Sequence, residues 1–322
     1  MKSHKKKYNL SFCALFLFLM SFQTDKPAYQ IFDMEGKKTS YKAILEKAQD
    51  ADIILFGESH NNPIIHWLQI EITKDLYKSL SVNKSENQSK DRGKKSKAKN
   101  NLLLGAEMFE ADNQTILDEY LSDIITEKNF EAEARLWNNY KTDYKPLVEF
   151  AKENNLDFVA TNIPRRYASL VSKKGLSSLD SLTDDANRFL MPLPVEVDLK
   201  MPAYSNMLKM MGIHSADDGK VSEGAANFAY AQAVKDATMA YRINEYYKKS
   251  IQDKSKNSIF LHFNGSYHSD NYESIVYYLK KYNPDLKIMT ITAADQKDLD
   301  NLDKTGVADF AIVTPLSMTK TY

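Results

Sequence analysis

Four short polar clusters carry most of the residues able to do chemistry in this chain. They are Gly57-Glu58-Ser59-His60, Glu107-Met108-Phe109-Glu110, Asn162-Ile163-Pro164-Arg165-Arg166 and Gly265-Ser266-Tyr267-His268. Each follows a short apolar run. Glycine permits a sharp turn, and a histidine three residues later then sits at the rim of whatever sheet the runs build. If the runs are neighbouring strands, Glu58, His60, Glu107, Glu110 and His268 converge on one cleft. Such a Glu/His set suits a divalent metal that activates water, with Glu58, His60, Glu107 and His268 as the working residues of a hydrolase. It equally suits a purely polar network. Taken alone, each cluster also reads as a helix cap, and Glu107 and Glu110 as first-turn acids favoured by a helix dipole. Arg165 and Arg166 suit pairing with these acids or with an anionic ligand such as a carboxylate. His60 and His66 are six apart and would face different ways on one helix, so they are not paired as metal ligands.

A second group has another character. Met191, Met201, Met207, Met210 and Met211 place five of the twelve methionines in 21 residues, with Tyr204 and His214 in the same stretch. Methionine is adaptable and polarizable, which suits a flat apolar ligand or a partner helix as well as ordinary packing. Several familiar motifs are missing. Ser59 and Ser266 stand in no G-x-S-x-G elbow, there is no H-E-x-x-H, and no Walker or Rossmann glycine set occurs. Cys13 is the single cysteine, which excludes disulfides and Cys-ligated zinc or iron–sulfur sites from the folded part.

The elements that must position these residues read as alternating strands and helices. Continuous apolar runs at 52–56, 101–106, 157–160, 259–263, 287–292 and 310–313 suit buried strands. Residues 62–80 carry Ile64, Ile65, Leu68, Ile72, Leu76 and Leu80 at helical spacing, helical pattern dominates 165–250, and 271–282 forms a further helix. The alternation predicts an α/β fold with a largely parallel central sheet flanked by helices. Residues 183–250 read as a helical insertion subdomain. Residues 81–100, rich in Lys and Arg and without apolar period, read as a basic solvated loop with polyanion binding as its functional alternative. Ligands of open α/β sheets bind beyond the carboxyl ends of the strands, where all four polar clusters fall.

Composition bounds the rest. The 322 residues hold 43 basic and 43 acidic side chains, with 43% hydrophobic residues, a globular balance. No basic surplus points to nucleic acid. Lys2, Lys5, Lys6 and Lys7 followed by the apolar run Tyr8 to Phe22 read as an export signal or N-terminal anchor over 1–23, ahead of one domain at 24–322. Without residues 1–23 the chain carries 39 basic and 43 acidic side chains. Cys13 precedes most of the apolar run, so lipoprotein anchoring through it is not expected.

Together with Asn61-Asn62-Pro63 and the helix Phe228-x-x-Ala231-Gln232-x-x-Lys235-Asp236-Ala237-Thr238-Met239-Ala240, the four clusters resemble the ChaN family. These are haem-binding, iron-regulated envelope proteins of the Tiki/erythromycin-esterase-like superfamily. The resemblance runs over roughly residues 30–295. It implies an α/β core, a helical subdomain, haem held between them, a homodimer with paired haems, and envelope haem-transport components as partners. Known members are typically lipoproteins, from which the position of Cys13 departs. For the iron the resemblance implies a Tyr or His ligand, here His214 or Tyr204. Met207 and Met211 would cover the porphyrin, and Arg165 or Arg166 would meet its propionates. The superfamily also holds metalloproteases and esterases, so a metal-dependent hydrolase remains the alternative, with His60, Glu107, Glu110 and His268 as its metal ligands.

Overall fold

The apolar runs become strands of one sheet in a computed structural model that describes residues 26–87, 102–210, 223–252 and 258–322. The strands are β1 (Gln30–Asp33), β2 (Lys38–Thr39), β3 (Ile53–Glu58), β4 (Leu102–Glu110), β5 (Phe158–Asn162), β6 (Ile259–Gly265), β7 (Ile288–Gln296) and β8 (Phe310–Pro315). Their order is β2-β1-β8-β7-β3-β6-β4-β5. Neighbours from β8 to β5 are parallel, while β1 runs antiparallel to β2 and β8. The β1–β2 hairpin was not legible in the sequence. Its strands are short, and it turns at Gly36, whose φ is 79°.

Side chains alternate across a strand, so an unbroken apolar run buries both faces. Ile54 and Phe56 pack into one core, Ile53 and Leu55 into the other. The first core is covered by α1 (Tyr41–Ala48), α2 (Pro63–Asn87), α3 (Gln114–Leu121), α4 (Glu127–Glu133) and α5 (Lys145–Asn154). The second is covered by α6 (Arg165–Lys174), and further along the chain come α7 (Asp184–Asn187), α8 (Pro202–Met210), α9 (Glu223–Ser250) and α10 (Ile275–Tyr282). Of these, α9 and α10 join α6 on that face, and α8 packs in a small satellite cluster with Ala229 and Ala233 of α9. The α2 helix starts where Asn62 accepts hydrogen bonds from the Ile64 and Ile65 amides at 3.1 and 3.2 Å, with Pro63 in its first turn.

Two expectations change in detail. The α2 helix runs to Asn87, into the stretch read as a loop from residue 81, with no Gly or Pro there to stop it. The remainder of that basic stretch, the export segment 1–23 with Cys13, and Met211 and His214 lie outside the described residues. The stretch 183–250 is not set apart as an insertion throughout. The later half of α9 belongs to the sheet's own covering layer, with Arg242 donating to the Ala160 carbonyl and Tyr247 to Asp52. Its 28 residues span about 42 Å, more than the strands, so its first half continues past the strand ends beside α6 and α8. No helix among the described residues is long and apolar enough to cross a membrane.

The sheet order also makes a crevice. The chain leaves β3 into α2 on one face and leaves β6 into α10 on the other. On its other side, β6 borders β4, which again leads to the first face through α3. Adjacent loops that part in this way open a cleft at the carboxyl ends of the strands.

Candidate functional site

The loops after β3 and β6 meet at close quarters. A Cβ on Gly57 would lie 2.8 Å from the Ser266 Cα and 3.0 Å from the Ile291 carbonyl oxygen, so only glycine lets the two turns approach. A Cβ on Gly265 would lie 2.9 Å from two ring atoms of His60 and 3.5 Å from Glu107. The structure therefore brings His60, Glu107 and the Gly265–His268 turn together.

Glu58, at the end of β3, is buried and accepts three hydrogen bonds. Its donors are Gln69 Nε2 at 2.5 Å, the Tyr144 hydroxyl, and His60 Nδ1 at 2.9 Å. Burial opposes its ionisation, yet His60, His66 and Tyr144 outweigh this and hold its pKa below the usual carboxylate range. His66 sits behind, bonded to Gln69 at 2.8 Å and to the His60 carbonyl at 3.0 Å. Asn139 also donates to that carbonyl, at 2.7 Å. The His60 ring packs edge-on against Trp137, with centroids 4.8 Å apart, and its side chain is 37% exposed. Burial pulls its pKa down, but Glu58 and Glu107 outweigh that and raise it. A half-open imidazole oriented by a buried carboxylate is suited to moving a proton.

The second half of the cleft is a buried three-member array. His268 Nε2 lies 3.1 Å from Glu107 Oε1, and its Nδ1 bonds to Asp236 of α9. Carboxylates only accept, so both ring nitrogens must donate and the ring is an imidazolium. Burial alone would lower its pKa; Glu107 and Asp236 overcome this and push it up to about 10. Glu107 also accepts from the Gly265 amide at 2.8 Å, and its pKa is held far below the usual range by His268 and His60 despite burial. Tyr204 of α8 donates to the remaining oxygen of Asp236 at 2.9 Å. Beneath the array, His262 bonds to Thr161 at 2.7 Å and is neutral, its pKa lowered by burial to about 4.

Glu110 turns away from this array. The register against β5 shifts between Ala106 and Glu110, and such irregularities re-aim side chains. Glu110 accepts from Arg135 Nε at 2.9 Å and from Arg165 Nε, while Asp112 accepts from Arg135 and Arg166. The divalent-metal expectation for His60, Glu107, Glu110 and His268 is thereby corrected. Glu110 serves the arginines, both nitrogens of His268 are taken up as donors, and no three His, Cys, Asp or Glu among the described residues are arranged to hold a metal ion.

Of the residues expected around haem, Tyr204 is fully buried, and burial beside Asp236 raises its phenol pKa far above the usual value. Met207 is half-buried, and Met210 is 75% and Phe228 43% exposed, on α8 and α9 respectively. Sequence reasoning did not find Gln69, Tyr144, Arg135, Trp137 or Asn139. They come from helix interiors or irregular segments and carry no local signal. Asp236 and Gln232 were visible only as part of the α9 motif.

No curated protein sequence matches the chain. Among solved structures, ChaN of Campylobacter jejuni with cofacial haem aligns over 89% of this chain and 96% of its own, at 18% identity and a TM-score of 0.60. A mutant of the erythromycin esterase EreC in its open conformation aligns over 90% and 83%, at 11% identity and a TM-score of 0.43. The type III effector HopBA1 aligns over 84% and 91%, at 11% identity and a TM-score of 0.40. The haem-binding uptake family of the Tiki superfamily, ChaN, matches residues 44–279, and the chain belongs to that family.

Proposed function

We propose that this chain is an exported, envelope-located haem-binding protein that serves haem or iron acquisition. The observation that carries the reading is the family match over residues 44–279. Added support comes from Met210 and Phe228, apolar side chains left at the surface at the end of α8 and near the start of α9. The lysine-led apolar start of the chain supports export. Haem is the cargo, and ferric haem accepts histidine or phenolate ligation. Of the two ligand candidates, Tyr204 is engaged by Asp236, which leaves His214, in the sequence between α8 and α9, as the ligand we favour. The solved C. jejuni relative carries cofacial haem, and by analogy this chain would pair two haems across a homodimer before passing them to envelope transport components.

Titration of the chain lacking residues 1–23 with ferric haem tests the reading. The expected result is a visible spectrum distinct from that of free haem and comigration of haem with the protein on a sizing column. A free-haem spectrum at equimolar protein, with no comigration, sinks the reading.

A second reading has one observation in its favour, the half-exposed His60 oriented by Glu58 beside the fixed cation of His268. In it His60 takes and returns a proton, as in hydrolysis of an ester or amide. A screen of ester and peptide substrates with the wild type and His60→Ala checks it. The reading expects turnover that the variant loses, and absence of turnover, or turnover kept by His60→Ala, excludes it.

A further inference from the structure

We infer that the segment after β8 positions His60, with Thr321 as the residue that grips its turn. The turn from Ser59 to Asn62 is closed by the Asn62 amide, which donates to the Ser59 carbonyl at 3.0 Å. The two carbonyls between them need donors from elsewhere. The His60 carbonyl accepts from Asn139 Nδ2 at 2.7 Å and from His66 Nε2 at 3.0 Å. The Asn61 carbonyl accepts from the Thr321 amide at 3.0 Å. The Thr321 hydroxyl donates to Oδ2 of the buried Asp143 at 2.8 Å, the same oxygen that Asn139 Nδ2 meets at 2.7 Å. Thr321 therefore holds the turn twice, directly at Asn61, and through Asp143 and Asn139 at the His60 carbonyl.

The residue before it secures the other side of the turn. Lys320 Nζ bonds to Asp295 Oδ2 at 2.5 Å, and Asp295 Oδ1 accepts from Asn62 Nδ2 at 2.9 Å. The segment is itself tied to the strand ends. The Leu316 amide donates to the Gln296 carbonyl at 2.8 Å and the Met318 amide to the Pro315 carbonyl at 2.9 Å. Backbone fixation matters most for a side chain with little packing of its own. The His60 side chain is 37% exposed, held by Glu58 at 2.9 Å on Nδ1 and by the edge-on Trp137 ring at 4.8 Å. A loosened turn would carry the ring away from both, because a site is kept in place by the groups behind it. Thr321 acts through the backbone and not through the ring, which makes it a positioning residue. The family match ends at residue 279, so this contact lies outside it. His60 is the residue on which the hydrolase reading turns, yet its anchoring depends neither on that reading nor on haem.

The test is nuclear magnetic resonance of the chain, isotope-labelled at its histidine rings and held at one pH. The His60 signals are identified as those that His60→Ala removes. The edge-on Trp137 shifts the His60 ring protons by its ring current, so their resonances report that contact. Thr321→Val is expected to move them toward the positions of a free histidine. Thr321→Ser keeps the hydroxyl and is expected to leave them in place. Lys320→Met is expected to give a smaller shift in the same direction, through Asp295 and Asn62. The His262 and His268 resonances should stay, since those rings have partners of their own in Thr161, Glu107 and Asp236. Unmoved His60 resonances in Thr321→Val overturn the inference. So does a Thr321→Ser variant that moves them as far as Thr321→Val, or a general shift that takes His262 and His268 along. Lys320→Met leaves the donors of Asp143 in place, and it decides in the same way if Thr321→Val does not fold.

Discussion

Replacing His268 with alanine is expected to cost about 3–5 kcal/mol of unfolding free energy near pH 6. The substitution removes the one cation that lies between Glu107 and Asp236 and leaves two buried carboxylates without it. The pH dependence distinguishes this from loss of packing. His268 has its folded pKa raised to about 10 from an ordinary 6.5, so its contribution is complete below about 6.5 and fades as pH rises through 10. Glu107 has the opposite sign. Its folded pKa is depressed, so its contribution is complete above the ordinary value of 4.5 and is lost as pH falls below that. The His268 and Glu107 contributions therefore overlap fully between about 4.5 and 6.5, and the wild type loses the His268 contribution from pH 6.5 to 10. Urea unfolding at pH 6 and pH 9.5 should show that loss in the wild type and little of it in His268→Ala. A variant as stable as the wild type at pH 6, or with the same alkaline slope, contradicts the imidazolium assignment.

Exchanging the two ligand candidates should separate them cleanly. His214→Ala is expected to abolish the haem-bound visible spectrum or shift it strongly. Tyr204→Phe is expected to keep that spectrum but to lower stability by about 1–3 kcal/mol, because the buried Asp236 oxygen loses its donor. His60→Ala is expected to leave the haem spectrum in place, since the ring is tied to Glu58 in the polar cleft. The measurement is visible absorption at saturating haem, paired with chemical unfolding of each variant. If Tyr204→Phe loses the spectrum and His214→Ala keeps it, the phenol leaves Asp236 when haem binds, and the ligand assignment must be reversed.

The strand runs and the polar residues at their ends were legible because both are local. A buried parallel strand needs an unbroken apolar run, and such runs at 52–56, 157–160 and 259–263 coincide with β3, β5 and β6. Glycines 57 and 265 marked the turns because no side chain fits where the two loops touch. The α9 helix was legible as a helix, but its role as cover for the sheet was not, since periodicity gives a face and not the surface it meets.

Tertiary structure alone decided who partners whom. Insertion of β6 between β3 and β4 sets Glu107 beside His268, 161 residues away in the chain. The irregular register at the end of β4 parts Glu107 from Glu110, so that one joins the imidazolium and the other the arginines. Asp236 enters from mid-helix α9, Tyr144 and Arg135 from segments with no periodicity, and each is drawn in to satisfy a buried charge. Residue types and spacing determined that acids and histidines would gather at the strand ends, because burial patterns are written locally. Strand order and the compensation of buried charge are properties of the whole packed chain, and they determined which acid holds which base.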